Sequence, residues 1–339
     1  MPVLALNSLK DRKLPSARMP SGWFQVGWSQ DFAACAATRL TYFGREFVFY
    51  RGESGQLHAL DGYCRHLGAH LGVGGTVEGE NLRCPFHGWR YGPDGSNNDI
   101  PYSHPDKMNN LRLRRWQVRE IDEVVIMYIG AADDASALEP TGFRPTHIDT
   151  WPVWDVSTRI WRDMPAAPQM AAENVVDAAH FKFVHRNAAI GELEVLDHEG
   201  PVFRTRVEAK QGDAIAKPTW ATPEGPVDAR IYLEAHGLGL LWNVQYGFDE
   251  ITSLLGVTPT SAETMDVRAT IWVPRCRGDG TVLSEQIRDR WINFMHKQIE
   301  SDLEIWNHQT YVHSAPLAQS EQDPMRLFRR WSQQFYVTS

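Results

Sequence analysis

Tyr63-Cys64-Arg65-His66-Leu67-Gly68 and Arg83-Cys84-Pro85-Phe86-His87-Gly88-Trp89 place one cysteine and one histidine in each of two glycine-flanked loops. Two thiolates and two imidazoles suit a [2Fe-2S] cluster with both cysteines on one iron and both histidines on the other. The same four side chains would also satisfy tetrahedral zinc. Gly68, Gly88, Gly92 and Gly95 allow the backbone to approach such a centre and to offer N–H groups to its sulfurs. Working outward, Trp23 to Trp28, Arg39 to Arg51 and Leu57 to Tyr63 read as strands, and Asp94-Gly95 after Trp89-Arg90-Tyr91 signals a hairpin. Trp116 to Tyr128 reads as a last strand, so the stretch from Gly22 to about Gly130 is mainly β.

The chain has 339 residues, enough for two domains, and its 42% hydrophobic and 22% charged content matches a soluble globular protein. Lys+Arg of 34 against Asp+Glu of 42 gives a net charge of -8, which repels phosphate backbones and anionic membrane surfaces, so no nucleic acid and no membrane partner is expected. Apolar runs such as Val124 to Ile129 and Leu238 to Trp242 are far shorter than the roughly 20 residues a spanning helix requires. Lys10, Arg12, Lys13 and Arg18 among Pro2, Pro15 and Pro20 interrupt any apolar core of a secretory signal, so a cytoplasmic location is expected. Cys35 and Cys276 lack nearby partners and read as packing thiols.

The Ala-, Asp-, Pro- and Gly-rich stretch from Gly130 to Pro145 reads as a linker, which divides the chain into domains of residues 1–140, with a core of about 22–130, and 141–339. The second domain is expected to be α+β. A helical stretch spans about Met170 to His185, and Pro201 to Ala209, Arg230 to Tyr246 and Met265 to Pro274 read as strands. From Leu283 to Tyr311, Ile287, Trp291, Met295, Ile299 and Trp306 mark one face of a long helix.

Glu173-Asn174-Val175-Val176-Asp177-Ala178-Ala179-His180-Phe181-Lys182-Phe183-Val184-His185 carries a second constellation. Asn174, Asp177 and His180 share a helical face. His185 does not follow helically, so a bulge or helix end is expected between Phe181 and Val184 to bring both imidazoles to one metal. Two imidazoles and a carboxylate form the facial triad that holds non-haem Fe(II) with open positions for O₂. Asp302 lies on the apolar face of the long helix, where an unpaired carboxylate is costly, and is the expected third ligand, with Glu300 and Glu304 as alternatives.

The flanks His66-Leu67-Gly68 and Cys84-Pro85-Phe86-His87-Gly88-Trp89 resemble Rieske [2Fe-2S] domains. Ala69 and Phe86 stand where the respiratory members carry a disulfide, and Trp89 stands where they carry a serine donor, which implies a lower-potential cluster. Asn174-x-x-Asp177-x-x-His180-x-x-x-x-His185 and Asp302-Leu303-Glu304-Ile305-Trp306 resemble the iron motifs of Rieske non-haem iron oxygenases. With Ile100-Pro101-Tyr102 and Arg329-Arg330-Trp331, the likeness is strongest to the 3-ketosteroid 9α-hydroxylase oxygenase family. That resemblance implies an all-β Rieske domain and a helix-grip, START-like catalytic domain with an antiparallel sheet and a long C-terminal helix. It implies Cys64, His66, Cys84 and His87 on the cluster, His180, His185 and Asp302 on iron, and Asp177 bridging His180 to a neighbouring subunit's Rieske histidine. It further implies a homotrimer receiving NADH-derived electrons from a flavin reductase or ferredoxin, because no nicotinamide-binding glycine motif is present here.

The expected activity is O₂-dependent hydroxylation of a bulky apolar ring substrate, a 3-ketosteroid among the candidates, in a pocket lined by Leu240, Trp242, Leu254 and Phe294. Demethylation or desaturation of another polycycle is the alternative, and an electron carrier with a ligand-binding domain is a third reading. His58, His70 and His104 lie off the ligand spacing and read as surface or turn residues.

Overall fold

Runs such as Phe47-Val48-Phe49-Tyr50, punctuated by glycine turns, favour strands, and in the computed structural model they pair antiparallel into four sheets. The structure describes residues 14–16, 19–104, 110–130, 140, 154–187, 189–212, 224–247, 249–277 and 280–336. Two compact units emerge, one of Gly22–Glu139 and one of Pro140–Thr338 with Met1–Ser21. The Ser21 N–H and hydroxyl both donate to the Phe335 carbonyl, at 2.7 and 3.0 Å, which ties the segment before Gly22 to the second unit instead of the first. The linker expected over Gly130 to Pro145 lies outside the described residues except at Gly130 and Pro140.

The first unit contains β1 (Gly22–Trp28), β2 (Ala37–Tyr42), β3 (Arg45–Arg51), β4 (Leu57–Asp61), β5 (Thr76–Glu78), β6 (Asn81–Arg83), β7 (Arg90–Tyr91), β8 (Asn97–Asp99), β9 (Arg115–Trp116), β10 (Val118–Ile121) and β11 (Val124–Ile129). They form sheets ordered β1-β11-β10, β2-β3-β4-β9 and β5-β6-β7-β8. The run from Arg39 to Arg51 is a hairpin rather than one strand, turning at Phe43 and Gly44. Trp116 to Tyr128 is likewise divided, turning at Asp122 and Glu123. Phe43, Asp122 and Glu123 adopt the left-handed region with φ of 54°, 50° and 68°. Phe and Glu rarely sit there, so the turn signal is confined to Gly44 and Asp122, and the strand-like runs on either side mask it. The Asp94-Gly95 hairpin forms as expected between β7 and β8.

The second unit is built on one antiparallel sheet of seven strands, ordered β12-β18-β17-β16-β15-β14-β13: β12 (Trp154–Met164), β13 (Ala189–Asp197), β14 (Val202–Gln211), β15 (Val227–His236), β16 (Leu240–Tyr246), β17 (Glu250–Pro259) and β18 (Met265–Pro274). Between β12 and β13 lie α1 (Pro168–Ala172), a 3-10 turn (Glu173–Val176) and α2 (Ala179–Phe183). After β18 come α3 (Glu285–His308), capped by Ser284 accepting from the Ile287 N–H, and α4 (Gln319–Ser332). Trp291, Met295, Ile299, Leu303 and Trp306 of α3 join Phe328 and Trp331 of α4 and one face of the sheet in a single core. Among the described residues no helix is long and apolar enough to cross a membrane.

Candidate metal centres and cavity

In the first unit the two Cys/His loops follow β4 and β6 and are built alike. The Cys64 N–H donates to the Ala69 carbonyl and the Cys84 N–H to the Trp89 carbonyl, at 2.9 and 2.8 Å. The Gly68 and Gly88 N–H groups return to the Cys64 and Cys84 carbonyls, at 3.0 and 3.1 Å, with φ of 75° and 72° that favour glycine. Both thiols are buried beside Leu71, Leu82 and Tyr91, and the His66 and His87 rings face each other edge to face at 4.6 Å. Burial pushes the Cys64 thiol pKa up, so the bare site disfavours a thiolate that a metal would restore. Buried His66 Nδ1 has no hydrogen-bond partner in the protein. Two buried thiols, two converging imidazoles and an orphaned ring nitrogen fit a [2Fe-2S] cluster.

Trp89 does not offer its N–H to this centre. Its ring stacks on His66 at 4.7 Å and its Nε1 donates to the Tyr102 hydroxyl at 2.8 Å. Tyr91 stands closer: its oxygen accepts the Arg65 N–H at 3.2 Å and lies 3.2 Å from Cys64 Sγ, where the hydroxyl is the donor once Cys64 is a thiolate. Trp89 thus leaves the place of the serine donor unfilled, and Tyr91 is a further group that the sequence reading missed.

In the second unit, the stretch read as one helix from Met170 to His185 is broken. Asp177 is extended, with φ −101° and ψ 90°, and so does not share a helical face with His180. Its Oδ1 accepts the His180 N–H at 3.2 Å, and its carbonyl accepts from His180 Nδ1. That bond leaves His180 Nε2 for the site. The expected helix end does occur: the His180 carbonyl accepts from both the Val184 and His185 N–H groups, at 2.7 and 3.2 Å. Arg186 then turns left-handed with φ 58°, and the Asn187 N–H closes onto the Phe181 carbonyl at 3.0 Å.

This turn brings His185 Nε2 to 3.4 Å from Asp302 Oδ1 on α3. Ligand atoms of His180, His185 and Asp302 all lie within 4.8 Å of one another. Glu300 instead pairs with Arg159 at 2.6 Å, and Glu304 is exposed beside His308. Desolvation pushes the His180 pKa down against the opposing pull of Asp302 and Asp177, which favours the neutral imidazole a metal needs. Buried His185 Nδ1 lacks a protein partner. Two neutral imidazoles and one carboxylate fit a ferrous ion.

These three residues form one end of a cavity roofed by Phe294, Met295, Gln298 and Ile299 of α3. Its floor is mainly one face of the sheet, where Leu241 pairs with Leu255, and Asn243 with Ser253 and Leu233, with Trp242 and Tyr246 of the alternate positions also bordering it. Asn174, Trp242 and Phe294 border it as expected, whereas Leu240 and Leu254 do not. Side chains alternate along a strand, so these two fully buried leucines point to the opposite face and Leu241 and Leu255 take their place. Among the described lining residues there is no Lys or Arg; the polar members are mostly amides, including Gln211, Asn243, Gln245 and Gln298.

Comparison with known proteins follows the same division. Residues 22–119 match the Rieske [2Fe-2S] domain and residues 133–336 the 3-Ketosteroid 9alpha-hydroxylase C-terminal domain. A probable 3-ketosteroid-9-alpha-monooxygenase oxygenase component of Rhodococcus rhodochrous is 28% identical over 335 residues, covering 95% of this chain and 81% of that protein. A cholesterol 7-desaturase of Hemicentrotus pulcherrimus is 28% identical over 348 residues, covering 94% and 70%. Among solved structures, dicamba monooxygenase bound to 3,6 dichlorosalicylic acid superposes with a TM-score of 0.70 at 16% identity, covering 94% of this chain and 98% of that one, a likeness of fold.

Proposed function

The chain belongs to the Rieske oxygenases of the 3-ketosteroid 9alpha-hydroxylase family, and from that premise we propose that it hydroxylates a bulky, neutral, steroid-like ring substrate. It is the oxygenase component of a monooxygenase and takes electrons from a separate donor protein. The observation that carries the substrate reading is the cavity: an apolar floor and roof, amides at intervals, and no cation to neutralise a substrate carboxylate among the described lining residues.

Cys64, Cys84, His66 and His87 would hold the cluster, and His180, His185 and Asp302 the ferrous ion. When bound, the cluster supplies single electrons and the ferrous ion supplies open positions for activating dioxygen. The chain's own residues do the rest. Asp177 fixes the His180 tautomer through its carbonyl, and its side chain, about a third exposed, would accept a hydrogen bond from a Rieske histidine of another subunit. Leu241, Leu255, Ile231 and Phe294 exclude water around the substrate, and the amides orient its oxygens.

A homotrimer is the assembly we propose, in which the Rieske histidines of one subunit meet Asp177 of the next. Exposed Leu67, Phe86 and Tyr102 around His66 and His87, and Phe183 on α2, which is 77% exposed, supply apolar surface for such a contact. The donor is proposed to be a flavin reductase or ferredoxin carrying NADH electrons, in a cytoplasmic setting. Desaturation is the second reading, because one relative is a cholesterol desaturase.

The test is turnover of neutral steroids, fused aromatics and carboxylated analogues with a generic reductase, with products identified by mass. Oxygen insertion into a neutral polycycle is expected, and loss of two hydrogens would favour desaturation. Preference for the carboxylated analogues would defeat the substrate reading. Iron analysis should give three irons per chain, whereas two would indicate an electron carrier.

A further inference from the structure

Glu173 opens the 3-10 turn that leads to Asp177 and His180, and it is not among the residues that line the cavity. It is nearly buried and fully engaged. Oε1 accepts from Gln169 Nε2 at 3.1 Å, the Tyr311 hydroxyl at 3.0 Å and Arg329 Nε at 2.9 Å, and Oε2 accepts from Arg329 Nη2 at 2.8 Å. Arg329, on α4, stacks over the Tyr311 ring at 4.6 Å and spends Nη1 on the Val312 and His313 carbonyls, at 2.9 and 3.1 Å. Tyr311 belongs to the segment that continues from α3 beyond Asp302 and Trp306. One carboxylate therefore joins three pieces of chain: the segment carrying both histidines, the continuation of the helix carrying Asp302, and α4.

Buried ion pairs are poor sources of stability, since apolar replacements are often neutral or better. A bidentate pair with two further donors does, however, define position in two directions. We propose that Glu173, held by Arg329 and Tyr311, is a positioning residue of the ferrous site, setting the separation of the His180 and His185 segment from Asp302 and so the affinity for the ion. This rests on the reading that His180, His185 and Asp302 hold that ion.

The test is equilibrium Fe(II) affinity of the mononuclear site, measured anaerobically on the full chain against a competing ferrous chelator, alongside thermal stability and the Rieske absorbance. Glu173→Gln and Arg329→Met should weaken Fe(II) binding about tenfold, the scale seen when groups behind metal ligands are removed, with Rieske absorbance per chain unchanged. The double variant Glu173→Met with Arg329→Met separates the roles: stability should return toward the parent while Fe(II) affinity stays low. Affinity returning together with stability would reduce the cluster to a packing contact and overturn the proposal. So would folded single variants that bind Fe(II) as tightly as the parent. If those variants do not fold, Tyr311→Phe removes one hydroxyl and decides: a measurable loss of affinity supports positioning, and parental affinity refutes it. A parent protein that holds no third iron would instead overturn the assignment of the ferrous site, and this inference with it.

Discussion

Tyr91 and Asp177 each act through an atom that sequence spacing does not reveal. The Tyr91 oxygen accepts the Arg65 N–H and lies 3.2 Å from Cys64 Sγ, so toward a Cys64 thiolate the hydroxyl is the donor. Donors to cluster sulfurs stabilise the reduced, more negative state. Tyr91→Phe should therefore lower the reduction potential while leaving cluster content unchanged, as protein-film voltammetry would show; an unchanged potential would remove Tyr91 from the list of tuning groups. Asp177→Asn keeps the backbone carbonyl that holds His180 Nδ1, so all three irons should stay bound and the cluster should still accept an electron. Coupled turnover should fall by at least about a hundredfold, because an acceptor for the partner's imidazole is lost. Normal product formation in this variant would contradict the bridging role.

The elements show how irregular structure builds the site. A continuous helix from Met170 to His185 would have placed the two imidazoles on different sides. The helix end instead, where the His180 carbonyl accepts both the Val184 and His185 N–H groups, brings them together. A carboxylate that can be buried against imidazoles needs a rigid carrier, which α3 provides through its apolar stripe. Trp291 anchors that stripe, fully buried, with Nε1 donating to Asp249 Oδ2 at 2.6 Å while Arg277 Nε donates to Oδ1 at 2.5 Å. Trp291→Ala should destabilise the protein by about 3–5 kcal/mol, from cavity formation and a buried acceptor left short of a donor. Differential scanning calorimetry reads this as a lower transition temperature for the second unit.

At the scale of the whole molecule, buried histidines couple stability to pH. His296 is 3% exposed, its Nε2 lies 2.9 Å from Ser157 Oγ, and burial with nearby Arg159 brings its pKa down to about 4 against the weaker pull of Glu300. Desolvation likewise lowers the pKa of His58 beside Glu80 and of His70 beside Glu46 and Arg39. Between pH 6.5 and 4 the unfolded chain binds protons that the folded chain does not, so the contribution is complete above pH 6.5 and declines as the pH falls. The melting temperature should drop on acidification through this window, and more gently in His296→Gln. Equal slopes in the two proteins would show that His296 does not titrate as described. Carboxylates such as Glu46, brought down to about 2 mainly by Arg39, lose their contribution only at lower pH.

His58 and His70 also mark the boundary of what sequence could tell, since isolated histidines carry no pattern that separates surface from interior. Local chemistry was legible: the two Cys/His loops stand out by residue type and spacing, the strand from Met265 to Pro274 and Asp302 on the apolar stripe of α3 follow from the backbone period, and His180 with His185 demanded a break in the helix. Turns at Phe43-Gly44 and Asp122-Glu123 were not, because a strand-like pattern continues on both sides of each and Phe43 and Glu123 hold left-handed angles that such side chains rarely adopt. The same holds for which face of β16 and β17 meets the ligand, where a shift of one residue exchanges Leu240 for Leu241. Sequence alone determined the Rieske domain, the candidate ligand residues and the fold class, since these depend on residue type at fixed local intervals. Only the tertiary structure decided the cavity wall, the Tyr91 donor and the Glu173 clamp, since each depends on groups distant along the chain meeting at hydrogen-bonding or van der Waals range.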